Sequence, residues 1–257
     1  MRHVSLALYI PRMTHRGHNF IGTSGWRYDH WFGTVYPEDM PPDAWLSYYA
    51  ASLRTVEINS TFYGLPPKKS IEAWLAATPP DFIFAVKASR YLTHMKKLKD
   101  PDAGLWRFFA AIQPFGDRLG AVLFQLPPRW CCNVARLDAF LDALPPGHRY
   151  AFEFRDPSWH NDEVAALLGR RNAAFCIFEL AGDRSPRLIT ADFAYARLHG
   201  PDGAYRGRYG ERALSRWAGR IARWRSAGLD VYCYFDNDEA GHAFANAVRL
   251  EELVAGS

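Results

Sequence analysis

Phe152-Glu153-Phe154-Arg155 reads as the end of a β-strand, with two aromatic rings on one parity and two opposite charges on the other. Alternate side chains of a strand point to opposite faces, so Glu153 and Arg155 share a face that Phe152 and Phe154 do not. The same arrangement recurs in Val56-Glu57-Ile58-Asn59, Phe84-Ala85-Val86-Lys87 and Ala196-Arg197-Leu198-His199. Working outward from these, eight short stretches have strand character: 20–26, 55–63, 81–89, 121–126, 150–155, 174–180, 195–199 and 231–235.

Segments with a 3.6-residue apolar period separate most of them. One carries Trp45, Leu46, Tyr49 and Leu53 after Pro41-Pro42-Asp43, and another covers 68–77. A third is expected to be capped by Asp100, with Pro101 at its first position. Others run from Val134 to Leu144, over 162–171, from Leu214 to Trp224 and over 241–254. The link from Ala181 to Asp192 carries Gly182 and Pro186 and shows no such period. Strands alternating with helices make a parallel sheet with right-handed crossovers. The expected fold is a TIM-type (β/α)8 barrel with a reduced or missing sixth helix. The 257 residues match the ~250 typical of one such barrel. Gly22-Thr23-Ser24-Gly25 lacks the spacing of a dinucleotide-binding turn, so no cofactor is expected.

Apolar residues make up 49% of the chain, enough for a large core, yet no apolar run approaches the ~20 residues that span a membrane. Residues 1–19 read as a poorly ordered extension, or as sequence upstream of a start near Met13, and 20–257 as one domain. The extension carries Arg2, Arg12 and Arg16 and no acid; without them the 31 basic residues fall to 28, against 27 acidic ones. A body so close to neutral does not suit a protein that grips duplex phosphates. Cys131, Cys132, Cys176 and Cys233 lack zinc or thioredoxin spacing, so reduced thiols and a cytoplasmic protein are expected.

Several blocks together resemble the DUF72 (YecE-like) family. They are Gly22-Thr23-Ser24-Gly25-Trp26, the run 56–63, Ala85-Val86-Lys87 with Thr93-His94, and Phe124-Gln125-Leu126-Pro127. Glu153-Phe154-Arg155 with Pro157-Ser158-Trp159, Arg197-Leu198-His199-Gly200, and Tyr234-Phe235-Asp236-Asn237-Asp238 follow in the same order. The resemblance implies a TIM-type barrel and no particular activity. Two positions depart from it: Asp236 stands where the family usually has Asn, and Glu179 where it tends to have Asp.

Polar groups at the C-terminal ends of successive barrel strands converge on the face where such barrels carry their chemistry. Glu57, Lys87, Glu153 and His199 are the expected catalytic groups, with Glu57 and Glu153 as acid and base and His199 as a proton carrier. His94 is a further candidate. Lys87 is suited to positioning a ligand or, if desolvated, to forming a Schiff base. Arg155 and Arg197 add charge, Asn59 and Gln125 add amides, and Asp236 and Asn237 follow the eighth strand. Trp26, Tyr63 and Trp159 fall just after strand ends, where rings can stack on a ligand. The loop Tyr205-Arg206-Gly207-Arg208-Tyr209 reads as an arginine-bearing lid. Lys87, Arg155 and Arg197 would repel a metal ion, so no metal is expected and a small anionic, phosphorylated or sugar-like ligand is. Acid–base catalysis at this face is the first functional expectation; a nucleic-acid-binding or repair-like barrel and a non-catalytic ligand sensor are the alternatives. Pairing within the cluster, for instance Glu57 with Lys87 and Glu153 with Arg197, would instead make it a structural plug.

Overall fold

The structure is a computed structural model and describes residues 16–256. Residues 1–15 of the expected extension lie outside the described residues. Its last residues are tied to the body: Gly17 donates to the Arg225 carbonyl at 2.9 Å and accepts from Arg225 Nε at 2.8 Å. A Cβ at Gly17 would stand 1.9 Å from the Leu229 carbonyl oxygen, so only glycine passes here.

Eight strands form the parallel barrel: β1 (Asn19–Thr23), β2 (Thr55–Ile58), β3 (Ile83–Lys87), β4 (Leu119–Leu126), β5 (Arg149–Phe154), β6 (Ala174–Leu180), β7 (Phe193–Leu198) and β8 (Asp230–Phe235). Neighbours pair in parallel from β1 through β8 and back down to β2. A single parallel bridge between Ser24 and Glu57 nearly closes the ring. The helices are α1 (Trp45–Ala50), α2 (Lys68–Ala76), α3 (Asp102–Ile112), α4 (Val134–Asp142), α5 (Asp162–Arg170), α6 (Glu211–Ser226) and α7 (His242–Ala255). The TIM-type fold is therefore present. No helix of the described residues is long and apolar enough to cross a membrane.

No helix follows β6. Ala181 and Gly182 both take positive φ, 51° and 91°, which reverses the chain in two residues. Asp183–Arg184 then pairs antiparallel with Glu179 and Leu180 before the chain enters β7.

Two sequence expectations need correcting. The second strand stops at Ile58 rather than reaching Tyr63. The Thr61 hydroxyl donates to the carbonyls of Ile58 at 3.0 Å and Lys87 at 2.6 Å, in a single 3₁₀ turn, Ser60–Phe62. The third helix starts at Asp102, and Asp100 is not its cap. Asp100 has φ 44° and pairs instead with Lys96 at 3.4 Å.

Alternation along the strands divides the core in two. Val56, Ile58, Phe84, Phe124, Phe152, Phe154, Leu198 and Phe235 pack outward with the helices. Ala85, Leu123, Ala151, Cys176, Tyr195 and Tyr234 fill the barrel interior. At the N-terminal end Phe20 stacks on Tyr232, ring centroids 4.7 Å apart, beside the Arg149–Asp230 ion pair at 2.7 Å. The interior is thus closed below. Two residues beyond the filling, on the same parity, stand Glu57, Lys87, Gln125, Glu153, Arg197 and Asp236.

Candidate functional site

Arg197 is the hub of this upper layer. Its guanidinium donates to Glu57 Oε1 through Nε at 3.1 Å and Nη2 at 2.7 Å, and to Glu153 Oε2 through Nη1 at 2.9 Å. Nη2 also reaches Asp236 Oδ2 at 3.1 Å and Ser24 Oγ at 3.2 Å. Glu57 accepts in addition from the hydroxyls of Ser24 at 2.5 Å and Tyr195 at 2.6 Å. The side chains of Arg197, Glu57 and Glu153 are wholly buried. A buried charge persists only when paired and hydrogen-bonded, and here every carboxylate is. Burial acts to raise the Glu153 carboxyl, but Arg155 and then Arg197 hold it well below the usual range. Asp236 is likewise lowered, burial being outweighed by Arg197 and His199. Glu153 and Asp236 are therefore anions at neutral pH.

His199 sits between an anion and a cation. Its Nδ1 lies 2.9 Å from Asp236 Oδ2, and its Nε2 lies 3.0 Å from Arg155 Nη2. Guanidinium nitrogens only donate. Nε2 must then accept, and the proton belongs on Nδ1, donated to Asp236. Arg155 also donates through Nε to Glu153 Oε1. The Tyr205 ring meets the His199 ring edge-on, centroids 5.7 Å apart, while Tyr205 itself stays 43% exposed. The lid tip therefore covers the imidazole from the solvent side.

Lys87 is different. No carboxylate pairs with it among the described residues. Its Nζ lies 4.5 Å from the centre of the Phe62 ring. Burial, and then Arg197, push its ammonium down to about 8. The Gln125 amide on the next strand also forms no hydrogen bond within the described residues. Asn59 donates to the Ser24 carbonyl at 3.1 Å, but its buried Oδ1 has no donor. Lys87 at the end of β3, Gln125 on β4 and Asn59 just after β2 thus carry unmet polar groups side by side. His94 meets the edge of the same Phe62 ring, centroids 4.9 Å apart, from a single π-turn, Tyr91–Met95. Burial and then Lys87 lower it to about 4, so it is neutral at physiological pH.

Glu57, Glu153, Arg155, Arg197, His199 and Asp236 come together in one cluster, with Lys87, Gln125 and Asn59 beside it. Lys87 does not pair with Glu57; Arg197 takes that place. The aromatic candidates separate. Trp26 is buried edge-on against Trp74, and Trp159 is fully buried, stacked on Phe154 and donating to the Trp130 carbonyl at 2.7 Å. Both fill the core beneath the rim. Tyr63 lies on the rim, 77% exposed, beside Phe62. Tyr209 is buried, and its hydroxyl accepts from the Gly200 amide at 3.1 Å. Asn237 donates to the Gly207 carbonyl at 2.7 Å and to Asn246 at 3.1 Å. These two anchor the lid loop, while Arg208 at its tip is exposed. Ser24, Tyr195 and Phe62 belong to the site and were not foreseen. Ser24 and Tyr195 share interior parity with Gly22 and Arg197, which is the signal that could have found them.

Among the described residues no three His, Cys, Asp or Glu side chains are grouped to hold a metal ion. The oxygens of Glu57, Glu153 and Asp236 that meet here are directed at Arg197, Arg155 and His199.

The family described as "Protein of unknown function DUF72" matches residues 20–257. The chain belongs to the DUF72 family. The UPF0759 protein YunF of Bacillus subtilis (strain 168) is 27% identical over 272 residues, covering 91% of this chain and 94% of YunF. The UPF0759 protein YecE of Escherichia coli (strain K12) is 30% identical over 146 residues, covering 54% of this chain and 49% of YecE. Neither name states an activity. Among solved structures, a DUF72 family protein of Thermotoga maritima MSB8 superposes with a TM-score of 0.85 at 30% identity, covering 93% of this chain and 99% of that one. A second, from Enterococcus faecalis V583, has a TM-score of 0.80 at 18% identity over 93% of this chain and 96% of that one, a likeness of fold.

Proposed function

We propose that this DUF72 barrel is an enzyme that uses acid–base chemistry on a small anionic compound, bound at the C-terminal mouth. The observation that carries this reading is the contrast within the upper layer. Arg197 is saturated by three carboxylates, while the Lys87 amine and the Gln125 amide beside it are left without a hydrogen-bond partner among the described residues.

A ligand oxyanion would take a hydrogen bond from the Gln125 amide beside the Lys87 amine, and Arg155 would turn a guanidinium N–H toward it. That turn leaves His199 Nε2 with only the longer 3.4 Å contact from Arg197 Nη1. The nitrogen accepts a proton from the ligand, while Asp236 steadies the imidazolium through Nδ1–H. The Arg197 cluster is the rigid floor and leaves the proton traffic to His199. Tyr205, folded over the ring, excludes water during the transfer.

The test has two readouts on the full chain. Sulfate, phosphate, malonate and a panel of small phosphorylated and carboxylated carbonyl compounds are screened for thermal stabilisation. The stabilising compounds are then followed by proton NMR in D2O for exchange or conversion. The wild type is expected to exchange carbon-bound protons of at least one ligand, and His199→Asn, which keeps a donor for Asp236, to bind it without exchange. No stabilising anion would sink the reading. Binding without conversion would make the protein a sensor. Binding to single-stranded DNA that weakens steeply with salt would favour the nucleic-acid alternative.

A further inference from the structure

The proposed function leaves the identity of the reacting carbon open, and the strongest remaining feature is the environment of Lys87. The chain has six lysines, at positions 68, 69, 87, 96, 97 and 99. Lys68 pairs with Glu72 at 3.5 Å and Lys96 with Asp100 at 3.4 Å, while Lys69, Lys97 and Lys99 are exposed. Lys87 alone among them stands on the interior parity of a barrel strand.

Its backbone is fixed on both sides. The Lys87 carbonyl accepts from Thr61 Oγ1 at 2.6 Å, and the Ala88 amide donates to the Leu123 carbonyl at 2.8 Å. Its amine rests on Phe62 rather than on a carboxylate. An ion-paired lysine is locked as ammonium and is a poor nucleophile; an unpaired, desolvated one is available.

We infer that Lys87 is a covalent residue that forms an imine with an aldehyde or ketone carrying a carboxylate or phosphate group. This deepens the reading of the same mouth as an anion site and rests on it. The neutral amine adds to the carbonyl carbon, giving a carbinolamine. The C–O bond then breaks as the C=N bond forms. Overall, the ammonium form and the carbonyl yield the protonated imine and one water, two of the three ammonium protons leaving with the oxygen. No oxidant or metal is consumed. The depressed ammonium supports the step, because about half of a lysine poised near 8 is free amine at that pH. The protonated imine withdraws electrons from the neighbouring carbon, which is the carbon that His199 would deprotonate.

The experiment is reductive trapping on the full chain. Protein is incubated with glyoxylate or with pyruvate, reduced with sodium borohydride, digested and mapped by mass spectrometry. The expected result is a secondary-amine adduct at Lys87 at least tenfold above that at Lys68, Lys69, Lys96, Lys97 and Lys99. It is lost in Lys87→Arg and reduced by competing malonate. A Lys87 occupancy no higher than that of the surface lysines overturns the inference, and this is read in the wild type whether or not a variant folds. If malonate or phosphate still stabilises the protein while trapping fails, the imine is rejected and the anion site stands. If both fail, both are rejected.

Discussion

Arg197 on β7 and Glu57 on β2 join across the barrel mouth through hydrogen bonds of 3.1 and 2.7 Å, both side chains closed to solvent. Breaking a buried pair by removing one partner leaves an uncompensated charge, which costs about 3–5 kcal/mol. Arg197→Met should therefore destabilise the protein by that order, since it strips Glu57, Glu153 and Asp236 of a common partner. Urea unfolding at pH 7 measures it. A loss under ~1 kcal/mol, as at an exposed pair, would deny the hub its structural role.

Glu153 and Asp236 are both lowered in the folded state, and the sign of their pH effect follows. The unfolded chain protonates them in the ordinary carboxylate range near 4, before the folded protein does. Their stabilisation is thus complete above that range and is lost as pH falls through it toward the depressed folded values. Urea midpoints should be flat between pH ~6 and ~7 with respect to these two groups and fall below pH ~5. Asp236→Asn should lessen the fall. An equal slope in that variant would remove Asp236 from the account.

His199 is wholly buried, beneath a Tyr205 ring that remains 43% exposed. Diethyl pyrocarbonate should therefore leave His199 unmodified in the wild type and modify it in Tyr205→Ala, as read by peptide mapping. The overall fold should survive, because Tyr205 lies at a loop tip with φ 66° rather than in the core. Equal protection of His199 in both proteins would show that the lid does not gate it.

The barrel and the strand-end cluster were legible because both follow from a period of two. Glu57, Glu153, Arg197 and His199 lie on the polar parity of apolar strands, and a closed sheet leaves that parity nowhere to go but inward. Parity does not say which strand ends face each other across the ring. For that reason Glu57 could be matched with Lys87 from sequence, whereas the stagger of the strands brings Arg197 to it. Nor does a ring just after a strand reveal its direction. Trp159 lies in a 3₁₀ turn, Pro157–Trp159, that returns its indole onto Phe154, while Tyr63, after a similar turn, faces out. The backbone of those turns depends on single hydrogen bonds, such as Thr61 to Lys87, that no periodicity encodes.

Lys87 gives the opposite pH signature to the carboxylates. Its amine is charged up to about 8 in the folded protein, whereas the ordinary lysine value is 10.5. Below pH ~8 both states carry the proton, and burial of the charge opposes folding in full. Between ~8 and ~10.5 the unfolded chain holds more protons, so stability attributable to this residue rises with pH. The difference in unfolding free energy between wild type and Lys87→Met should therefore shift toward the wild type from pH 8 to pH 10. Rates of acetylation at Lys87 by acetic anhydride, compared with Lys68 by peptide mapping, should level off near pH 8, while those at Lys68 keep rising. If both lysines follow one curve, Lys87 is an ordinary solvated ammonium, and the chemistry assigned to it has no physical basis.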